Sequence, residues 1–435
     1  MKSVLFAATV IVIAGAAIGF NLIFGGRVDY SVGDNPRGIA AADFDGDGDF
    51  DLAVANNGVT SSNVSLLKNN GEGIFQAAVN YPAGIGPNGI FAADFDGDND
   101  KDLAVANGGS DNISILINNG DGTFLPKVDY AAGDNPYSVW AADLDGDSDL
   151  DLATANGYSD NISILLNNGN GTFQTPVNYP AGDNPQKVST ADFDGDLDID
   201  MAVANYSSNN VSIFKNNGNG IFQVAVNYPV GTNPLSVFPA DLDDDGDIDL
   251  TVANYTDDNV SVLMNNGDGT FAIAVNYGVA FGPRAVGAAD LDGDGDRELV
   301  AADASCDSVS FLENKGDGTF RPAINFAVGT YPRALILAAL DSDADKDLAV
   351  ANGGSDNVTI LFNSSTYPFI CGDANGNGMV NIQDITFVIA FLYKGGPAPN
   401  PMNAANVNGI GVVNIQDITY LINYLYKHGL ALDCP

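Results

Sequence analysis

The chain has 435 residues, with 16 Lys plus Arg against 56 Asp plus Glu and a formal net charge of −40. An acidic excess of that size repels nucleic acid and anionic membrane surfaces, which excludes functions resting on a basic exterior. Hydrophobic residues still reach 45% and charged ones only 17%, so this is no disordered acidic tail, and the acidity is concentrated in defined places. Fifty glycines favour strands joined by tight turns over helices.

Residues 1–24 open with Met1-Lys2-Ser3 and continue as an apolar stretch from Val4 to Phe24, broken only by Thr9 and Asn21. An early Lys, an apolar core and small residues at Ala14-Gly15-Ala16 form a signal-peptide pattern. An uncleaved anchor is the alternative, because about 20 apolar residues can span a bilayer. Either way the remainder is expected to be exported, as a secreted, extracellular or cell-surface protein.

A run beginning Asp43-Phe44-Asp45-Gly46-Asp47 recurs at Asp94, Asp143, Asp192, Asp241 and Asp290, with a degenerate seventh copy at Ala339. The first spacing is 51 residues and the next five are 49. That period is one four-stranded propeller blade, and it is far too long for a calcium β-helix repeat. Within the first unit Arg37 to Phe44 enters the aspartate run, Leu52-Ala53-Val54-Ala55 leaves it, and Asn63-Val64-Ser65-Leu66-Leu67 alternates as a half-buried strand should. Asn69-Asn70-Gly71-Glu72-Gly73 is a turn tract, and Phe75 to Tyr81 is the expected fourth strand.

The third strand occurs seven times, ending with Asn357-Val358-Thr359-Ile360-Leu361, whereas the Gly-x-Gly-x-Phe tract stops after six. The fourth-strand signature is restored to seven by Val28-Asp29-Tyr30. An N-terminal strand completing the last blade closes the ring and removes two exposed edges. The predicted fold is mainly β: a seven-bladed β-propeller over residues 27–363, then a linker at 364–370 and a small α-helical, EF-hand-like module at 371–435.

The run Asp43, Asp45, Asp47, Asp49 and Asp51 sets carboxylates at alternate places of a tight turn. Calcium seeks six to eight oxygens, which side chains at places one, three, five and nine and the carbonyl of place seven can supply; magnesium prefers fewer carboxylates and retained waters. Gly48 at place six gives the turn its freedom. The equivalents are Asp94, Asp96, Asp98, Asp100 and Asp102; Asp143, Asp145, Asp147, Asp149 and Asp151; and Asp192, Asp194, Asp196, Asp198 and Asp200. They continue as Asp241, Asp243, Asp245, Asp247 and Asp249; Asp290, Asp292, Asp294, Asp296 and Glu298; and Asp341, Asp343, Asp345 and Asp347. With Asp244 these loops hold 35 of the 56 acidic residues. Such crowding is repulsive without a counter-cation, which argues against mere turn capping and for several structural calcium ions. Leu197 at place six of the fourth loop makes a positive φ costly, while Asn99 in the second is tolerated. Ala339 and Ala344 make the seventh loop the weakest.

These loops resemble the FG-GAP or VCBS-type blades of integrin α-chain propellers and related bacterial proteins, over residues 27–363. The resemblance implies calcium between two blade strands, held by Asp43, Asp45, Asp47 and Asp51 and their equivalents round the ring.

After Tyr367-Pro368 the composition changes. Asp373, Asn375, Asn377, Met379, Asn381 and Asp384 occupy ligand places of an EF-hand-like loop with Gly378 at the sixth. Ile385, Val388, Ile389 and Leu392 then share a helical face. The unit recurs with Asn406, Asn408, Asn414 and Asp417 and a helix from Ile418 to Tyr426, but Asn406 and Ile410 weaken this second site. The duplicated loop and helix resemble a type I dockerin, which implies calcium and a cohesin partner facing Ile382-Gln383 and Ile415-Gln416. Those identical pairs suit a pseudo-symmetric docking surface, or they simply reflect duplication. Cys371 and Cys434 bracket the module and are a disulfide candidate in an exported chain. Closing that loop of roughly 60 residues contributes about 4 kcal/mol in the chain-entropy model. Cys306 stands where a sister repeat has Ser110 and reads as an unpaired thiol.

The single histidine, His428, falls near the end of the last helix, where a cation complements the dipole. No Ser-His-Asp or Cys-His set can be assembled in the propeller. The sequence therefore reads as a monomeric, non-catalytic binding or adhesion module for a glycan or protein, presented on blade-face loops such as Asp34-Asn35-Pro36-Arg37. Trp140 and the fourth-strand tyrosines read as packing residues. The alternative is a polysaccharide-active enzyme, hydrolase or lyase, using paired carboxylates and recruited by its dockerin.

Overall fold

A computed structural model of the chain describes residues 24–58, 62–343 and 345–363, together with residues 385, 388, 389, 392–394, 418 and 422. It contains 28 strands in seven four-stranded antiparallel sheets, a seven-bladed β-propeller. The first strand, β1 (Val28–Ser31), belongs to the last blade. The next four, β2 (Pro36–Ala42), β3 (Asp51–Asn57), β4 (Ser62–Leu67) and β5 (Val79–Pro82), form the first blade in that order, and the pattern repeats round the ring.

The sequence Leu52-Ala53-Val54-Ala55 explains how neighbouring blades mesh. Both faces of β3 are buried, and all four residues are 0% exposed. Because strand side chains alternate, Leu52 and Val54 pack against Ala349 and Ala351 of the seventh blade, while Ala53 and Ala55 receive Leu103 and Val105 of the second. Each small face thus meets a large one, as it does again where Ala202 and Ala204 meet Leu250 and Val252. Burying a Leu or Val in this way stabilises the fold by about 1.5–3 kcal/mol per side chain.

The fourth strand is shorter than Phe75 to Tyr81; only Val79–Pro82 pairs as β5, and its outer face is exposed. The phenylalanine before it serves the interface instead. Phe124 meets Phe44 at 5.9 Å and Tyr81 at 5.0 Å, both edge to face, so it wedges between its own blade and the preceding one. Tyr81 also donates its hydroxyl to the carbonyl of Gly122 at 3.0 Å. Tyr30 repeats the arrangement with Phe75 and Gly73 across the seventh and first blades.

Ring closure follows from β1, which pairs antiparallel with Asn357–Leu361 so that Val28 faces Ile360 and Tyr30 faces Val358. The closure extends beyond the strand. Phe24, which the sequence reading left inside the leader, bridges Asn363 and meets the rings of Phe326 at 5.0 Å and Phe311 at 6.5 Å. Its bridge to Asn363 is the counterpart of those that Phe124, Phe173, Phe222, Phe271 and Phe320 make with Asn118, Asn167, Asn216, Asn265 and Asn314.

In the C-terminal module Ile385, Val388, Ile389 and Leu392 are helical, with Ile385 and Val388 buried, and Ile418 is helical and buried. The two EF-hand-like loops, Cys371, Cys434, His428 and the Ile-Gln pairs lie outside the described residues. Cys306 is an exposed free thiol whose Sγ accepts the N–H of Phe281 at 3.1 Å, the bond that Ser110 Oγ makes with Ile85.

A chain beginning at residue 24 is expected to melt like the full-length protein. One beginning at residue 32 loses Phe24 and the closing strand, and should melt lower by about 10 °C or more and self-associate through the exposed edge. Equal melting temperatures and equal elution volumes for the two chains would refute closure by this segment.

Candidate metal centres

Each aspartate loop connects an inner strand to its neighbour, as β2 to β3. Asp43 caps the turn from inside: Oδ1 accepts the N–H of Gly46 at 2.8 Å and Oδ2 that of Gly48 at 3.0 Å. Asp51 is fully buried and accepts two backbone N–H groups, from Phe44 at 3.2 Å and from Asn69 at 2.7 Å. Asp102, Asp151, Asp200, Asp249 and Asp347 repeat this double bond. In the sixth loop the longer Glu298 is also buried and accepts the N–H of Leu291 at 2.8 Å.

The turn asparagine gripped by Asp51 in turn grips another blade. Asn69 Nδ2 donates to the carbonyl of Leu340 in the seventh blade at 2.8 Å. Asn118, Asn167, Asn216, Asn265, Asn314 and Asn363 each donate likewise to the place-two carbonyl of the preceding blade's loop. All seven interfaces therefore carry one bond of the same kind. The sequence reading missed this clasp, although an asparagine at the same point of all seven repeats was the available signal.

The Gly-x-Gly tract reads two neighbouring loops. A Cβ on Gly120 would lie 2.4 Å from Asp100 Oδ2 of its own blade, and one on Gly122 would lie 3.4 Å from Asp45 Cβ of the preceding blade. Only glycine leaves room at the first of these, where φ is also +79°.

The carboxylate oxygens of Asp43, Asp45 and Asp51 lie within 4.8 Å of one another, and the second to fifth loops bring together the same three places. The seventh loop lacks the first of these places, Ala339, while keeping the buried Asp347. Asp47 lies outside this group at the exposed tip, its Oδ1 accepting the N–H of Asp49, and the Asp49 side chain turns onto Gly71. The place-five side chain stays beside the cluster: Asp98, Asp147 and Asp245 each share a side-chain hydrogen bond with the place-three carboxyl of their loop, Asp96, Asp145 and Asp243. One oxygen stands out: Oδ1 of Asp45, and of Asp96, Asp145, Asp194 and Asp243, is buried without a hydrogen-bond partner. An orphaned acceptor beside two more carboxylates fits a hard divalent cation and fits little else. In the first and fourth loops a lysine adds positive charge, with Lys68 Nζ 3.2 Å from Asp45 and Lys215 Nζ 3.1 Å from Asp194. Ile117, Leu166 and Met264 stand at that point of the second, third and fifth blades.

Burial pushes Asp51 and Asp249 up to about 6, and Asp102, Asp151, Asp200 and Asp347 up to about 7. Two backbone N–H donors oppose the rise but do not cancel it. In the seventh loop burial, and then a hydrogen bond with Asp341, push Asp343 up to about 6. Place six is left-handed at Gly48 (φ +95°), Asn99 (+75°), Ser148 (+76°) and Leu197 (+73°), while Ala344 lies outside the described residues. Ser148 was not singled out from sequence, and it sits in the same strained region.

Compared with known families, an FG-GAP-like repeat matches residues 43–105, 94–154, 144–203, 192–252, 241–301 and 290–351, and a dockerin type I domain matches residues 371–426. No curated protein sequence matches the chain. Among solved structures, virginiamycin B lyase from Staphylococcus aureus aligns with a TM-score of 0.54 at 10% identity, over 77% of this chain and 98% of that one. BBS1N in complex with ARL6DN aligns with a TM-score of 0.58 at 14% identity, over 80% and 98%. At such identities the likeness shows a common fold and nothing of activity.

Leu197 is 87% exposed, so its left-handed backbone is held without compensating burial. Leu197→Gly is expected to stabilise the protein by about 1 kcal/mol, seen as a higher melting temperature. An unchanged or lower value would count against strain there. The second expectation concerns pH. Carboxyls raised above their ordinary 3.8 favour the fold when protonated. Their contribution is complete below about pH 4 and is lost as pH rises through about 6 to 7. Protein stripped with EGTA should therefore melt higher at pH 5 than at pH 8. Excess calcium, which needs the ionised form, should reverse that order. Identical pH profiles with and without calcium would remove calcium from these loops.

Proposed function

The chain belongs to the FG-GAP-like repeat family, and from that premise we propose that it is an exported, calcium-stiffened binding protein. In this reading the propeller takes a glycan or protein ligand, and the type I dockerin domain attaches it to a cohesin-bearing partner. The observation that carries it is the buried, partnerless oxygen of Asp45 and its equivalents, set beside the first and ninth carboxylates at the blade junctions. Asp43, Asp45 and Asp51, with their counterparts, would hold calcium there through their side chains. Calcium so bound supplies charge neutralisation where desolvation alone would protonate the buried acid.

The proposed division places the propeller at 27–363, extended at its start to include Phe24, with a linker at 364–370 and the dockerin at 371–435. A leader cleaved for export would have to be cut before Phe24, since that side chain packs on Phe326. A binding role is supported by the economy of the loops. The carboxylates that a glycosidase would need are committed to turn caps and backbone clasps. Cohesin recognition is assigned to the region of Ile382-Gln383 and Ile415-Gln416.

Three measurements on the full-length protein test this. Elemental analysis should find several calcium ions per chain, and EGTA should lower the melting temperature, each site at 100–1,000 times its Kd contributing about 3–4 kcal/mol. An immobilised cohesin should capture the protein with calcium and release it in EGTA. A polysaccharide panel should show retention without release of reducing ends. Reducing-end release abolished by one Asp→Asn change outside the loops would replace binding with catalysis.

A further inference from the structure

The seven inner strands all begin with proline, and the residue after it lines the central channel at the end remote from the aspartate loops. Round the ring that residue is Arg37, Asn88, Tyr137, Gln186, Leu235, Arg284 and Arg333. The sixth, seventh and first blades, which are adjacent, thus bring three arginines to one sector of the mouth. The channel encloses about 540 Å³. Among the described residues Arg37, Lys187, Arg284, Arg333 and Lys346 line it and no Asp or Glu does, in a chain where acidic residues outnumber basic ones 56 to 16.

The guanidinium groups are placed but not neutralised. Arg333 lies over the Tyr331 ring at 4.7 Å, and Arg284, 5.5 Å from the same ring, donates from Nη1 to the Tyr331 hydroxyl at 3.2 Å. Arg37 donates from Nη1 to Asn88 Oδ1 at 2.7 Å. Among the described residues none of the three forms an ion pair with a carboxylate. The Nε atoms of Arg37 and Arg333 are buried with no acceptor at all. Burial first, and then the Arg37 and Arg284 charges, push Arg333 down to about 10, so it remains cationic at neutral pH. Deeper in the channel Lys187 Nζ stands 5.0 Å over the Trp140 ring.

Backbone strain marks the same spot. The residue before the proline is left-handed in every blade, as Asn35, Gly86, Asn135, Asn184, Asn233, Gly282 and Tyr331. A tyrosine at φ +55° is costly where its counterparts are Asn or Gly, and here it puts an aromatic ring beside two guanidinium groups.

We propose that this mouth is a binding site for the oxyanion of an acidic small molecule, a carboxylate or sulfate group on a ligand of one or two sugar units. The cavity volume falls within the range of small-molecule sites. Planar guanidinium forks with free N–H donors match a carboxylate or sulfate better than any neutral group. This deepens the binding-module reading, on which it rests, and assigns that module an anionic ligand class.

The test is calorimetric titration of the calcium-loaded full-length chain, at fixed excess calcium, with sulfate, with galacturonate and with neutral galactose. Sulfate or galacturonate should bind at least tenfold more tightly than galactose, and more weakly as chloride is raised. The stronger of the two identifies the group preferred. Arg333→Gln and Arg284→Gln should each weaken that binding at least tenfold while melting no lower without ligand, because a repelling charge has been removed. The proposal is overturned if neither anion binds better than galactose, or if both variants bind like the parent. A neutral glycan retained by the same protein while both anions fail would overturn only this assignment and leave the binding-module reading standing.

Discussion

In every blade one buried carboxylate at the end of the aspartate loop, Asp51 in the first, accepts backbone N–H groups that nothing else could satisfy. It fixes the loop through Phe44 and, in six of the seven blades, also fixes the turn after the third strand through an asparagine, Asn69 in the first. That asparagine reaches the preceding blade. A loop, a turn and an interface are thereby set by one group, and because the ring closes there is no terminal blade at which the requirement lapses. The cost is electrostatic. A charge is held out of water with two more carboxylates within 4.8 Å, an arrangement that favours protonation or a cation. Protonation of the ninth place does nothing for the orphaned oxygen of the third, which a cation would satisfy.

The architecture was legible because the repeat is strict. A period of 49 residues, the Leu-Ala-Val-Ala core strand and the displaced Val28-Asp29-Tyr30 together specify seven blades and their closure. The misplaced boundaries have a common cause. Phe75 looks like strand because aromatic residues favour strands, yet it is used across blades, where its partner is Tyr30, through the ring and through the Phe75 N–H, rather than a ladder neighbour. Phe24 looks like leader because it continues an apolar run, and only its bridge to Asn363 and its contact with Phe326 show that it packs on the propeller. Local pattern reports the strand a residue could join; it does not report a contact with a neighbouring blade.

In the loops, carboxylates that alternate in sequence take different surroundings in space. Asp43, Asp45 and Asp51 converge within 4.8 Å, Asp47 is exposed, and Asp49 lies against Gly71. The reason is the glycine tract. Its first glycine accommodates the seventh carboxylate of its own blade and its second lies against the third carboxylate of the preceding blade, so two loops share one turn. The spacing of those glycines is therefore a packing constraint between blades as well as a turn signal.

Net charge is a poor guide to any one surface of such a molecule. Thirty-five acidic side chains sit in the loops at one end of the inner strands, while the other end carries Arg37, Arg284 and Arg333. Repetition also separates scaffold from recognition. Where all copies must do the same thing, as at the asparagine clasp, they agree in all seven blades. At the residue after the inner-strand proline the copies diverge into five kinds, Arg, Asn, Tyr, Gln and Leu. Divergence alone is permissive. Divergence that gathers like charges in three adjacent blades, leaves buried donors unpaired and strains Tyr331 opposes stability, a cost that the proposed anion would offset on binding.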